Sequence, residues 1–82
     1  MDITRATEVN QEVTDTVRDM FEYHAWSEEQ VNRGSLVRNV LMDAVRMIIA
    51  TVPPSPDRSA AIRKIREARM DCNSAITHNG KY

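Results

Sequence analysis

The 82-residue chain has one cysteine, two glycines, three prolines and four aromatic residues. Each scarcity excludes something. A single thiol cannot close an intrachain disulfide or supply a thiolate zinc cluster. Two isolated glycines, Gly34 and Gly80, do not make a glycine-rich phosphate loop. No apolar run approaches 18 residues, so no membrane-spanning helix is expected. The first residues, Met1-Asp2-Ile3-Thr4-Arg5, lack the apolar h-region of a secretory signal, and the expected address is a reducing cytoplasm. Alternating apolar and polar runs rich in β-branched residues are missing too, which leaves no candidate strand.

Constellations for chemistry are equally scarce. There is no His-Glu-x-x-His pair. Cys72 and His78 stand six residues apart on one helical stretch, where neighbours are three or four apart, so no base sits beside the thiol. His24 and His78 are distant in sequence and do not read as a metal pair. The pairs Glu8/Glu12 and Asp15/Asp19 read as a solvated acidic face. The sequence therefore predicts no catalytic residues, no metal and no cofactor.

What is present is charge segregation and helical periodicity. The net charge of −1 conceals two blocks. Residues 1–32 carry eight acids against two bases, and residues 33–69 carry eight bases against three acids. Seven of those eight bases are arginine, whose planar fork suits phosphate and carboxylate. Two readings follow: ion pairing between the halves or between subunits, and an anion site in the central block. The acidic first third and a pI near 6.1 argue against DNA as a partner.

Val9, Val13, Val17 and Met20/Phe21 share one face of a helix over about Thr7–Glu22. Ser27-Glu28-Glu29-Gln30 reads as a capping box opening a long helix to about Thr51. Its stripe is Val37, Leu41, Ala44, Ile48 and Val52, widened by Val40, Val45 and Ile49. Gly34 lies inside that helix, either as a tolerated weak point or as a place of close approach. Val52-Pro53-Pro54-Ser55-Pro56 stops it and restarts another, with Ser55 as N-cap and Pro56 at the first helical position. The last helix carries Ala61, Ile62, Ile65, Ala68, Cys72, Ala75 and Ile76 on one face, and His78-Asn79-Gly80 marks its end. The expected fold is all-α: a single helical domain over 1–82, with an N-terminal helix in 1–22 and a long antiparallel helical hairpin in 27–79. A chain of this size buries only about 60% of its unfolded surface, and its apolar flanks outnumber what one short helix can cover. Self-association into a homo-oligomer is therefore expected.

Tyr23, His24 and Trp26 sit at the start of the long helix, Arg38 lies about three turns on, and Arg69 lies on the returning helix. Aromatic faces beside arginine suit nucleotide bases and phosphates. Aromatics at a helix junction also serve as packing anchors.

From Phe21 to Asn79 the chain resembles the hairpin-domain family of phage immune-evasion proteins, the anti-CBASS and anti-Thoeris sponges. The resemblance rests on Phe21-Glu22-Tyr23-His24, on Arg38 and on the turn Pro54-Ser55-Pro56-Asp57-Arg58-Ser59-Ala60-Ala61. It continues through Ile65-Arg66-Glu67-Ala68-Arg69-Met70 into Asn73-Ser74-Ala75-Ile76. The short all-helical form is closer to the anti-CBASS branch. The resemblance implies binding of cyclic di- and trinucleotide signals without cleavage, by homohexamers with pockets between subunits, in the cytoplasm of the infected bacterial host. It implies Tyr23 as the base-stacking aromatic, with His24 beside it, and Arg38 as the phosphate contact. It further implies a second, trinucleotide-type site at Arg69, Asn73 and His78, with His78 standing where the family carries basic residues. Asp71 departs from the family, which often has Trp there. The alternatives are a small helical nucleic-acid-binding protein, suggested by the Arg-rich last helix, and a phage inhibitor of a host protein acting through an apolar helix face.

Overall fold

The structure, a computed structural model, describes residues 11–82. These form three α-helices, α1 (Gln11–Phe21), α2 (Glu28–Thr51) and α3 (Pro56–Thr77). No strand occurs among the described residues, and none of the described helices is long and apolar enough to cross a membrane. The expected start of the first helix at Thr7, and Val9 on its face, lie outside the described residues.

Local chemistry sets the helix ends. At the start of α2, the Gln30 amide donates to Ser27 Oγ at 3.2 Å and the Ser27 amide donates to Gln30 Oε1 at 2.9 Å. This is a closed capping box that satisfies two amides with no partner inside the helix. At the start of α3, Ser55 Oγ accepts from the Arg58 amide at 3.1 Å, with Pro56 in the first turn. The end of α3 is a Schellman turn. Asn79 and Gly80 have φ of 52° and 74°, and their amides reach the carbonyls of Ile76 and Ala75 at 3.3 and 2.9 Å. That pattern occupies the last free carbonyls.

α2 and α3 are in contact, and hydrogen bonds join them near both ends. Near the start of α2, Gln30 Nε2 donates to the Ile76 carbonyl at 2.9 Å, and Trp26 Nε1 donates to Thr77 Oγ1 at 2.7 Å. At the other end, Arg58 Nη1 donates to the carbonyls of Val52 and Ile49 at 3.2 and 3.5 Å. Arg58, read from sequence as one of the central anion-seeking bases, thus closes the C-terminus of α2, where a cation also meets the negative end of the helix dipole.

The expected stripes are only partly covered. Val37, Leu41, Ala44, Val45 and Ile48 of α2 and Ala61, Ile62, Ile65, Cys72 and Ile76 of α3 are half-buried. Ala68 and Ala75, assigned to the same stripe of α3, are exposed, as are Val40 and Ile49. The face of α1 is open as well, with Val13, Val17, Met20 and Phe21 all exposed. Gly34 is the one buried residue among the described residues. The radius of gyration is 18.2 Å, against about 11 Å for a compact chain of 72 residues. The physical reason is simple: two helices side by side offer one contact stripe each, and a third helix at their end covers neither flank.

Candidate functional site

The sequence-predicted site residues fall into two groups on neighbouring parts of the surface. Tyr23, His24 and His78 line a wide recess of about 640 Å³ at the α1–α2 junction. Arg38, Arg69 and Asn73 line a smaller one of about 220 Å³ between α2 and α3. Trp26 and Val31 border both. The expected trio of Arg69, Asn73 and His78 is therefore divided: Arg69 and Asn73 share a recess, whereas His78 caps α3 and turns to Asp19 and His24.

Arg38 and Arg69 also rim a groove of about 270 Å³ that continues along the two helices. Its floor is Leu41, Val45 and Ile65, and Arg46 and Arg66 complete the rim. Arg46 is paired with Asp43 at 3.0 Å. Arg38, Arg66 and Arg69 have no carboxylate within ion-pair distance among the described residues, and the same holds for Arg63 and Lys64. The pairs that Arg18, Arg33 and Arg46 make join residues three or four apart in the chain and are exposed, where each contributes about 0–1 kcal/mol. Pairing between the acidic and basic blocks across helices, expected as one reading of the charge pattern, is absent between α2 and α3 among the described residues. Of the central arginines, Arg38, Arg63, Arg66 and Arg69 remain available to an anion.

The two junction aromatics take different roles. Trp26 is half-buried, with its N–H satisfied by Thr77. Its ring occupies the space that a Cβ on Gly34 would need. It is a packing anchor, and it explains the glycine within α2. Tyr23 is 91% exposed and offers its ring face to solvent.

The cluster that sequence reading missed lies at the other edge of the wide recess. His24 Nε2 donates to the Asp19 carbonyl at 2.7 Å and lies 3.5 Å from Asp19 Oδ1. The His24 and His78 rings meet edge to face with centroids 5.2 Å apart, and His78 Nδ1 is 3.9 Å from Asp19 Oδ2. Tyr82 Oη donates to Asp19 Oδ2 at 2.6 Å and Lys81 Nζ at 3.5 Å. Distance along the chain hid the contact between His24 and His78, which the fold makes by placing the end of α3 beside the last turn of α1. The Tyr82 hydrogen bond, followed by the positive charge of Lys81 and the nearby His24, holds the Asp19 carboxyl below its ordinary value of 3.8, against partial desolvation. Nothing in the sequence pointed to this cluster, since Asp15 and Asp19 read as a solvated face.

Comparison of the chain with family models, with curated proteins and with solved structures finds no match in any of the three.

Proposed function

We propose that the protein binds and sequesters cyclic oligonucleotide second messengers, cyclic dinucleotides and also trinucleotides, without breaking a bond in them. The observation that carries this reading is the set of unpaired arginines, Arg38, Arg66 and Arg69, around one apolar-floored groove. Three guanidiniums without carboxylates favour a ligand with more than one negative charge, and bidentate forks suit phosphodiester oxygens. An apolar floor and the exposed Tyr23 ring favour a ligand that also carries flat, weakly polar bodies. A cyclic oligonucleotide has both. In this reading Tyr23 and His24 receive a base, Arg38 and Arg69 receive phosphate, and Asn73 supplies an amide for a base edge. His78 borders the recess of Tyr23 and His24.

The resemblance of Phe21–Asn79 to the phage anti-CBASS sponges supports the same assignment. It extends it to a helical hairpin that assembles as a homohexamer and acts in the cytoplasm of the infected bacterial host. Self-association would cover the exposed flank of Leu36, Val40 and Met47 and bring the groove of one subunit against the next. Sequestration lowers the free messenger below the threshold of its effector, so affinity and copy number, not turnover, set the outcome.

A thermal-shift panel of cyclic nucleotides tests the reading. A ligand that binds only the folded protein stabilises it by RT ln(1 + [L]/Kd). Cyclic dinucleotides should raise the midpoint more than the linear dinucleotides of the same bases. An unmoved midpoint across the panel would overturn the proposal.

A further inference from the structure

We propose that Asp19, His24 and His78 form a binding site for a divalent transition-metal ion of the zinc type. One ligand atom from each lies within 4.8 Å of the other two. Two imidazoles and one carboxylate form a ligand set that zinc, cobalt and nickel accept, whereas magnesium and calcium prefer oxygen alone. Ligand atoms about 2.0–2.1 Å from a tetrahedral ion stand about 3.3 Å from one another. His24 Nε2 stands 3.5 Å from Asp19 Oδ1 and His78 Nδ1 stands 3.9 Å from Oδ2, the other oxygen of the same carboxylate, so side-chain rotation must draw the three donors from within 4.8 Å onto one ion.

The three donors come from three places in the chain: the last turn of α1, the junction before α2, and the cap of α3. The cluster is shielded on one side, since the His78 side chain is only 8% exposed. The Tyr82 hydroxyl, on Asp19 Oδ2 at 2.6 Å, orients the carboxylate as a metal site requires of its supporting groups. Coordination through His24 Nε2 has a cost. The proton now donated to the Asp19 carbonyl moves to Nδ1, and the 2.7 Å hydrogen bond gives way to the metal bond. Lys81, at 3.5 Å from Asp19 Oδ2 and 62% exposed, swings to solvent as the cation enters. No oxidation or reduction is involved. The ion would tie α1 to the end of α3 and leave at least one coordination position for water.

The test uses the full chain without a polyhistidine tag, purified with chelator and then dialysed free of it. Titration with Co²⁺ should develop visible d–d absorption that saturates at one ion per chain, and Zn²⁺ should displace it. In nuclear magnetic resonance spectra, Zn²⁺ should shift the imidazole signals of both histidines together. His24→Gln and His78→Gln should each weaken Co²⁺ binding by about tenfold or more, and Cys72→Ser should leave it unchanged. Absence of cobalt absorption would overturn the proposal, as would binding insensitive to both histidine variants or binding lost with Cys72→Ser. If His78→Gln fails to fold, the His24 variant and the paired histidine shifts decide.

Discussion

The indole of Trp26 fills the space beside Gly34, and a Cβ on that glycine would lie 2.7 Å from Cη2 and closer still to Cζ3. Replacing Gly34 by Ala should therefore destabilise the protein although Ala is the better helix former by about 1 kcal/mol. A rigid ring held by the 2.7 Å bond to Thr77 cannot yield cheaply, and overpacking costs about 1–3 kcal/mol. Chemical denaturation should show a net loss for Gly34→Ala in the wild-type background. In a Trp26→Ala background the same change should become neutral or stabilising, a coupling that identifies the ring as the cause.

The tail contact predicts a pH window. Asp19 is depressed below 3.8 in the folded protein, so its contribution is complete above 3.8 and is lost as pH falls through the lower folded value. Tyr82 is raised above 10.0, first by its hydrogen bond to Asp19 and then by desolvation and the carboxylate charge. Its contribution is complete below 10.0 and is lost as pH rises through the higher folded value. With chelator present, side-chain resonances of Tyr82 should report a docked tail between these limits and release outside them. Tyr82→Phe should return the Asp19 titration towards 3.8.

Groove arginines should differ from a surface arginine. Arg38→Ala and Arg69→Ala should each weaken cyclic-nucleotide binding by about 1–3 kcal/mol through loss of a charge-assisted hydrogen bond. Tyr23→Ala should cost a similar amount through lost stacking. Arg63, unpaired and outside the grooves that Arg38 and Arg69 line, is the control, and Arg63→Ala should change affinity little. Isothermal titration calorimetry at fixed ionic strength checks all four, because exposed charges are screened by salt.

The open flank of α2 makes a separate prediction. Leu36, Val40 and Met47 are 68%, 66% and 63% exposed and recur at helical spacing on one side of the helix. A charge there should oppose self-association. Sedimentation of Val40→Asp should show a smaller species than wild type at equal concentration, with helical content by circular dichroism retained.

Local features were legible in the sequence and tertiary ones were not. Ser27 with Gln30, and Ser55 with Pro56, announced their helix starts because a cap is written within four residues. The stop at His78-Asn79-Gly80 was legible for the same reason. Gly34 was ambiguous, since helix propensity alone does not reveal a neighbouring ring. Arg58 could not be told from the groove arginines, because its carbonyl partners belong to the preceding helix. The Asp19, His24 and His78 cluster was invisible because its members meet only once α3 has turned back to α1. Tyr23 and Trp26 looked alike as junction aromatics, and only burial separates the anchor from the exposed ring.

The most direct test of the central claim is recovery of the ligand. The protein is mixed with cyclic GMP–AMP below its own molar concentration, and the free nucleotide is measured after ultrafiltration. The protein is then denatured by heat and the released nucleotide is analysed by chromatography. The account predicts that free nucleotide disappears on mixing and returns intact and in full on denaturation. Nucleotide that stays free throughout, or returns only as cleaved product, would contradict it.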